Sequence, residues 1–173
     1  MEQATYCDII RDQTARALWE AGNVIDCVPD DCWDRPYYGV PVWKHVYHML
    51  HSLDLYLINP RDKSFTEPPF HEENLNDLDI PPTKSLSRKD LADYYAAVKS
   101  KIISYLGTLR DSGLLECPEG CEYTKFTLIL AQHRHLHTHM GMLMGFIVSE
   151  TGRWPRIIGL SGTIPAGPYD KFE

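Results

Sequence analysis

The sequence predicts an all-α protein, a four-helix bundle that runs up-down-down-up with a long crossover between the second and third helices. Four segments carry helical signals, and one connection, residues 59–86, is long and interrupted by prolines. A structureless connection of that length is unusual inside a compact domain, unless the chain must travel back along the bundle to a helix of the same direction. We therefore predict one domain over residues 1–173, with an irregular tail over residues 153–173.

The first two predicted helices are bounded by breakers. The first runs from about Gln3 to Val24, where isoleucine, alanine and leucine recur near the helical period and Gly22 is expected to act as a breaker near the end. The second starts near Pro41, after a loop rich in Pro, Gly and Asp, and ends before Asn59.

The last two predicted helices have clearer starts and stops. Ser87 and Asp90 have the spacing of a capping box at the start of the third helix, with Asp in place of the usual Glu or Gln. That helix is expected to end at Ser112-Gly113. The fourth begins after Tyr123 and continues to Gly152, and the remaining tail is rich in Gly and Pro.

Composition excludes several classes of function. The 173 residues are 43% hydrophobic and 24% charged, and the net charge of −7 argues against nucleic-acid binding, which requires a basic face. The N-terminus lacks the basic start and apolar block of a signal peptide, and no apolar stretch approaches the ~20 residues that span a bilayer. With an odd count of five cysteines, we expect a cytoplasmic protein with reduced thiols and no membrane partner.

Four of the eight histidines lie at every second position of the stretch His133 to His139. On a helix they divide into two pairs, because successive residues are rotated by about 100°. His135 and His139 lie one turn apart on the stripe that also carries Leu128, Leu136, Leu143 and Phe146, whereas His133 and His137 point away from its centre. Two imidazoles at i and i+4 on an inward face can hold one cation.

A second cluster, on the second helix, offers candidates for a third ligand: His45, His48 and His51. Catalytic zinc-like centres use three protein ligands and leave a position for water or substrate. Spacing alone does not choose among the three, since the apolar arc of this helix is nearer His45 than His48. An i,i+4 histidine pair is also common as a structural or surface feature, and a histidine-rich tract can hold metal without a built site.

Three stretches carry a resemblance to a known family: VWKHVYHMLHSLDLYL in the second helix, RHLHTHMGML in the fourth, and SLSRKDLADYY at the start of the third. They resemble the DinB/YfiT-like superfamily of metal-dependent four-helix-bundle enzymes. The resemblance implies His48, His135 and His139 as metal ligands. It departs from the family pattern at Met142, where many members have Gln.

The resemblance also implies a divalent metal, zinc or nickel, and often a homodimer. Related enzymes are thiol-dependent transferases or isomerases that use low-molecular-weight bacterial thiols. We therefore predict a metal-dependent transferase or hydrolase that acts on a small electrophilic substrate, with a thiol or water bound by the metal as the nucleophile. No catalytic residue is identified, although Gln132, one turn before His135, is a candidate to support a ligand. The alternative is a non-catalytic metal-binding or stress-response bundle.

The cysteines form two local pairs, Cys27 with Cys32 and Cys117 with Cys121. In the predicted topology, the two loops that hold them lie at opposite ends of the bundle, so one zinc ion cannot join them. Each pair is then either a local redox pair or a pair of ordinary loop cysteines. A di-iron carboxylate site is excluded, because its Glu-x-x-His motifs are absent from the second and fourth helices.

Overall fold

The computed structural model describes residues 4–169 and 171–173, which are mainly helical with few strands. Its four α-helices and two short strands are α1 (Tyr6–Cys27), β1 (Pro36–Tyr37), β2 (Val40–Pro41), α2 (Val42–Tyr56), α3 (Arg88–Thr108) and α4 (Lys125–Thr151). Single 3₁₀ turns cover Asp30–Cys32 and Asp111–Gly113. The helix content is consistent with the predicted all-α bundle.

Helix α1 begins with a complete capping box. The Thr5 hydroxyl accepts from the backbone N–H of Asp8, and the Asp8 carboxylate accepts from the backbone N–H of Thr5. These bonds satisfy backbone donors that the first turn would otherwise leave unpaired. The helix therefore starts after Thr5, while the predicted first residue, Gln3, lies outside the described residues.

The predicted end of α1 near Val24 is wrong, because Gly22 lies inside the helix and does not end it. The helix continues to Cys27. A Cβ at Gly22 would lie 2.6 Å from the Tyr95 hydroxyl oxygen and 2.7 Å from the Tyr169 ring. Gly22 therefore permits close approach of aromatic rings, which is one reason for a glycine within a helix.

Gly22→Ala should destabilise the protein by about 1–3 kcal/mol. Alanine has a helix propensity ~1 kcal/mol more favourable than that of glycine, but the cost of overpacking against the two tyrosines is larger. Gly145→Ala is the matched control: this exposed residue of α4 has no atom within 4 Å of an added Cβ. It should be neutral or slightly stabilising. Urea unfolding measures both, and equal stability of the two variants would contradict the packing role of Gly22.

A small antiparallel hairpin precedes α2, and the sequence did not predict it. Its two-residue turn, Tyr38 and Gly39, has positive φ angles of 47° and 87°. Two central residues of positive φ match the twist of a two-residue hairpin. The hairpin pairs Pro36 with Pro41 and Tyr37 with Val40, so it leads the chain directly into α2.

The capping box predicted at the start of α3 is confirmed, since the Ser87 hydroxyl and the Asp90 carboxylate each accept from the other residue's backbone N–H. The predicted end at Ser112-Gly113 is wrong. The backbone turns extended at Leu109, and the following 3₁₀ turn is separate from α3. Its Asp111 carboxylate accepts from the first backbone N–H groups of α1, at 2.9 and 3.0 Å.

The four helices enclose a single apolar core. Helix α1 packs against α3 and α4, and α2 packs against the same two helices. The long connection between α2 and α3, which the sequence predicts to be a crossover, contributes Leu75 and Leu86 to this core. Lys44 of α2 is 0% exposed, and its ammonium donates to the carbonyls of Ile80 and Asn74. The long connection is therefore docked on α2.

The tail after α4 returns to α1. Helix α4 ends at Gly152, whose φ of 70° is typical of a left-handed cap. The buried Asn23 amide of α1 donates to the carbonyls of Arg156 and Lys171, and its oxygen accepts from the backbone N–H of Lys171. An isolated bridge pairs Pro155 with Phe172.

Within residues 4–169 and 171–173, no helix combines the length and the apolar character needed to cross a membrane. The same residues contain no disulfide bond.

Candidate metal centre

Three histidine side chains meet between α2 and α4. His48 comes from α2, and His135 and His139 come from adjacent turns of α4. The Nε2 atom of His135 lies 3.4 Å from Nε2 of His48 and 3.1 Å from Nε2 of His139. One ligand atom from each residue lies within 4.8 Å of the other two. The three residues that the family resemblance implies as ligands thus lie together.

The crossover fixes the orientation of His48. Its Nδ1 atom lies 2.6 Å from the backbone carbonyl oxygen of Asn76. A carbonyl only accepts hydrogen bonds, so the proton of the neutral ring is on Nδ1 and the lone pair of Nε2 faces the other two rings. Metal-binding histidines are commonly oriented in this way by a second hydrogen bond.

The surroundings keep the α4 histidines neutral. Burial is the main cause that lowers the pKa of His135, with His48 as the second cause. Burial, followed by His48 and His135, lowers the pKa of His139 to about 4. Near neutral pH both rings therefore present lone pairs and no positive charge, which is the state in which imidazole binds a metal.

The donor set fits a divalent transition metal. Nitrogen ligands about 2.0–2.1 Å from a tetrahedral ion are separated by about 3.3 Å, and the two measured separations, 3.1 and 3.4 Å, bracket that value. Imidazole suits zinc and nickel, whereas calcium and magnesium prefer oxygen. These clustered histidines could therefore hold a metal ion.

No family model, curated protein or solved structure matches this chain. The resemblance to the DinB/YfiT-like superfamily stays a prediction based on the three short motifs.

The other two histidines of α2 have separate partners. His45 Nε2 lies 2.7 Å from the Tyr37 carbonyl oxygen in the hairpin. His51 Nε2 lies 2.7 Å from a carboxylate oxygen of Glu67 in the crossover. Among the three candidates that spacing left open, His48 is therefore the one that meets the α4 pair.

The second α4 pair lies on another face, as predicted. His133 contacts the Thr14 hydroxyl of α1 at 2.8 Å, and the exposed His137 contacts the carbonyl of His133 at 2.7 Å. Their rings stack on each other with centroids 6.1 Å apart. Neither belongs to the three-histidine cluster, so His137 is a useful control position on the same helix.

Gln132 is buried one turn before His135, but within the described part of the chain no hydrogen bond joins it to the three histidines. Its side-chain oxygen has no partner there, and neither do the Nδ1 atoms of His135 and His139. Unpaired buried polar atoms are uncommon and costly. The supporting role of Gln132 stays a prediction.

Gln132 also lines a cavity of about 540 Å³ between the end of α2 and the start of α4. Leu128, Tyr56, Arg61 and Arg134 form other parts of its wall. This volume is typical of a small-molecule site. Another cavity, about 490 Å³, lies between α1 and α3. Neither lining includes a histidine, but Gln132 and Arg134 of the first cavity are sequence neighbours of His133 and His135 on α4. The Gln132 cavity is therefore the better candidate for a substrate near the histidines.

A second group of possible metal ligands was missed by the sequence reasoning: His51, Glu67 and His71. Glu67 and His71 belong to the crossover, where no helical period identifies an inward face. The only signal in the sequence is that an acid and a histidine stand four residues apart in a long connection.

The two cysteine pairs flank opposite ends of α4. Cys32 contacts the guanidinium of Arg35, which pairs with Glu150 near the C-terminus of α4. Cys121 lies just before the N-terminus of α4, which spans 27 residues. Since a helix of that length extends about 40 Å, the two pairs do not form one zinc site.

Proposed function

We propose that this protein is a metal-dependent enzyme in which His48, His135 and His139 hold a divalent ion, zinc or nickel, and a small electrophile is attacked by a thiol or by water. The convergence of three Nε2 atoms from α2 and α4 is the observation that carries the proposal. A divalent metal there would lower the pKa of a thiol or water and supply a nucleophile near neutral pH.

The residues of the chain supply orientation and electrostatics. Three neutral imidazoles do not cancel the charge of a cation, and the Asn76 carbonyl holds the ring of His48 in the required tautomer. The cavity lined by Gln132, one turn before His135 on α4, is large enough to hold a small substrate. With a low-molecular-weight thiol as cosubstrate, the reaction is a thiol transfer, and with water it is a hydrolysis.

Helix directions support the up-down-down-up topology that we infer for the bundle. Arg11 near the start of α1 donates to Leu106 near the end of α3, and Arg88 at the start of α3 donates to Ile25 near the end of α1. These contacts indicate that α1 and α3 are antiparallel.

Contacts of α2 support the rest of this topology. The rings of Tyr47 and Tyr94 lie 6.0 Å apart between centroids, and seven residues further along both helices Asp54 pairs with Lys101, which supports a parallel arrangement of α2 and α3. Tyr37, before α2, donates to the Met142 carbonyl, while His48 lies beside His135. Helix α4 therefore runs opposite to α2.

The up-down-down-up order is the one that the DinB/YfiT-like superfamily has, and we propose that the chain belongs to this superfamily. We also expect a cytoplasmic homodimer that binds no nucleic acid.

Thiol dependence is the test of the reaction class. Zinc- or nickel-loaded protein should convert a model electrophile at least ~100-fold faster with added low-molecular-weight thiol than without it, and His139→Ala should lose that gain. His137→Ala should keep it. Equal rates with and without thiol in the wild type would remove the transferase version and leave the hydrolase.

The alternative, a non-catalytic metal-binding or stress-response bundle, is favoured by one observation. Within the described residues, no carboxylate or lysine forms a hydrogen bond or ion pair with the three clustered histidines, so the centre has no evident general acid or base. Absence of turnover in metal-loaded protein, with either nucleophile and a panel of electrophiles, would favour this alternative.

A further inference from the structure

The crossover brings a second set of potential ligands against the outer side of α2. His51 Nε2 lies 2.7 Å from Glu67 Oε2, and His71 Nδ1 lies 3.6 Å from the same oxygen. One ligand atom from each of the three residues lies within 4.8 Å of the others. None of these residues belongs to the three-histidine centre.

One nitrogen of each imidazole ring approaches the same carboxylate oxygen, Oε2 of Glu67. The two rings stack with centroids 5.3 Å apart and an interplanar angle of 14°. Because a metal binds imidazole in the plane of the ring, one ring must tilt for both nitrogens to reach a cation beside Glu67.

The local surroundings differ from those of a surface ion pair. His51 is 1% exposed, and its Nδ1 atom is buried without a hydrogen-bond partner in the described part of the chain. The hydroxyl of Tyr47 lies 2.5 Å from His71 Nδ1, and burial raises the pKa of that hydroxyl, so it remains protonated and must give way when Nδ1 binds a cation. Glu67 is partly exposed, with 42% of its side chain accessible, which leaves an access path from solvent.

We propose that His51, Glu67 and His71 form a second binding site for a divalent transition metal ion. Two imidazoles with one carboxylate favour ions such as iron(II), manganese(II), cobalt(II) or zinc(II), whereas calcium and magnesium prefer oxygen ligands alone. Unlike the three-histidine centre, this donor set carries a negative charge. His51 Nε2 and Glu67 Oε2 lie 2.7 Å apart, and they must separate by a few tenths of an ångström to bind the same ion.

Binding at this site ties the crossover to α2. His51 is helical, whereas Glu67 and His71 lie in the connection that follows α2. An ion held by all three closes this loop, so metal should favour the docked form of the segment. Trypsin cleavage after the exposed Lys63 reports that docking without any assay of activity.

The experiment counts zinc equivalents after EDTA treatment and dialysis against zinc, for wild type, Glu67→Gln, His71→Ala and His139→Ala. Glu67→Gln keeps the size of the side chain and an acceptor for His51 but removes the charge. Glu67→Gln and His71→Ala should each lose one equivalent relative to wild type, with affinity at that site weakened by roughly 100-fold or more. Exposed Glu73, in the same segment, provides the matched control Glu73→Gln, which should retain every equivalent.

His139→Ala separates this inference from the proposed function. The second site is supported by two results together. His139→Ala should keep one zinc equivalent that Glu67→Gln loses, and zinc should slow tryptic cleavage after Lys63 by about 10-fold in His139→Ala but not in Glu67→Gln. If His139→Ala binds as much zinc as the wild type and Glu67→Gln binds none, the second site is supported and the three-histidine centre is overturned. Unchanged zinc binding in both Glu67→Gln and His71→Ala, or loss of all zinc in His139→Ala alone, would overturn the second site.

Discussion

Replacing His139 with alanine should weaken metal binding at the three-histidine centre by more than ~100-fold, since even removing an outer partner of a ligand commonly costs 10–100-fold. The same result is expected for His48→Ala and His135→Ala, because each removes one of three converging nitrogens. Competition with a chromophoric zinc chelator measures the affinity, and elemental analysis measures the loss of metal.

His137→Ala is the control for this series. It removes an exposed histidine from the same helix, two residues from His139, and leaves the cluster intact. Its affinity should equal that of the wild type. Retention of wild-type affinity in any of the three ligand variants would reassign that ligand, and an equal loss in His137→Ala would indicate loose binding by the histidine-rich tract.

Replacing Lys44 with methionine should weaken metal binding at His48 by about 10–100-fold, although among the described residues no hydrogen bond joins the Lys44 ammonium to the three histidines. The Lys44 ammonium bonds to the carbonyls of Asn74 and Ile80, which flank Asn76, the residue whose carbonyl orients His48. Methionine fills a similar volume without donating a hydrogen bond, so this part of the crossover loses its attachment to α2.

The same variant should lose about 1–3 kcal/mol of unfolding free energy, the usual penalty for leaving a buried polar group unpaired. Lys63→Met, at an exposed position of the same connection, should change neither quantity. Chelator competition and urea unfolding test both variants. A destabilised Lys44→Met protein with wild-type metal affinity would show that docking of residues 74–80 does not orient His48.

The α4 pair was predictable from the sequence, whereas its partner on α2 was not predictable from spacing. Helix α4 has one apolar stripe, and His135 and His139 lie on it. In α2 nearly every residue from Val42 to Leu53 is buried, so no single arc distinguishes His48 from His45 or His51. Only the resemblance to a family selected His48.

Features that depend on tertiary contacts were beyond sequence reasoning. Prolines interrupt the connection between α2 and α3, so its apolar residues follow no regular period. Nothing in the sequence therefore indicated that the Asn76 carbonyl contacts His48 or that Glu67 approaches His51. The end of α3 was misplaced because Leu109 turns the chain before the glycine that was expected to stop it. Gly22 was read as a breaker, since the Tyr95 ring that packs on it comes from a distant part of the sequence.

The return of the tail to α1 determines how far the protein can be shortened. Asn23 is 0% exposed, and its side chain forms hydrogen bonds with backbone groups of Arg156 and Lys171, which lie beyond α4. A truncation that stops at the end of α4 would strand this amide inside the protein, so the irregular C-terminal segment is an integral part of the folding unit and an unsuitable place to trim for crystallisation.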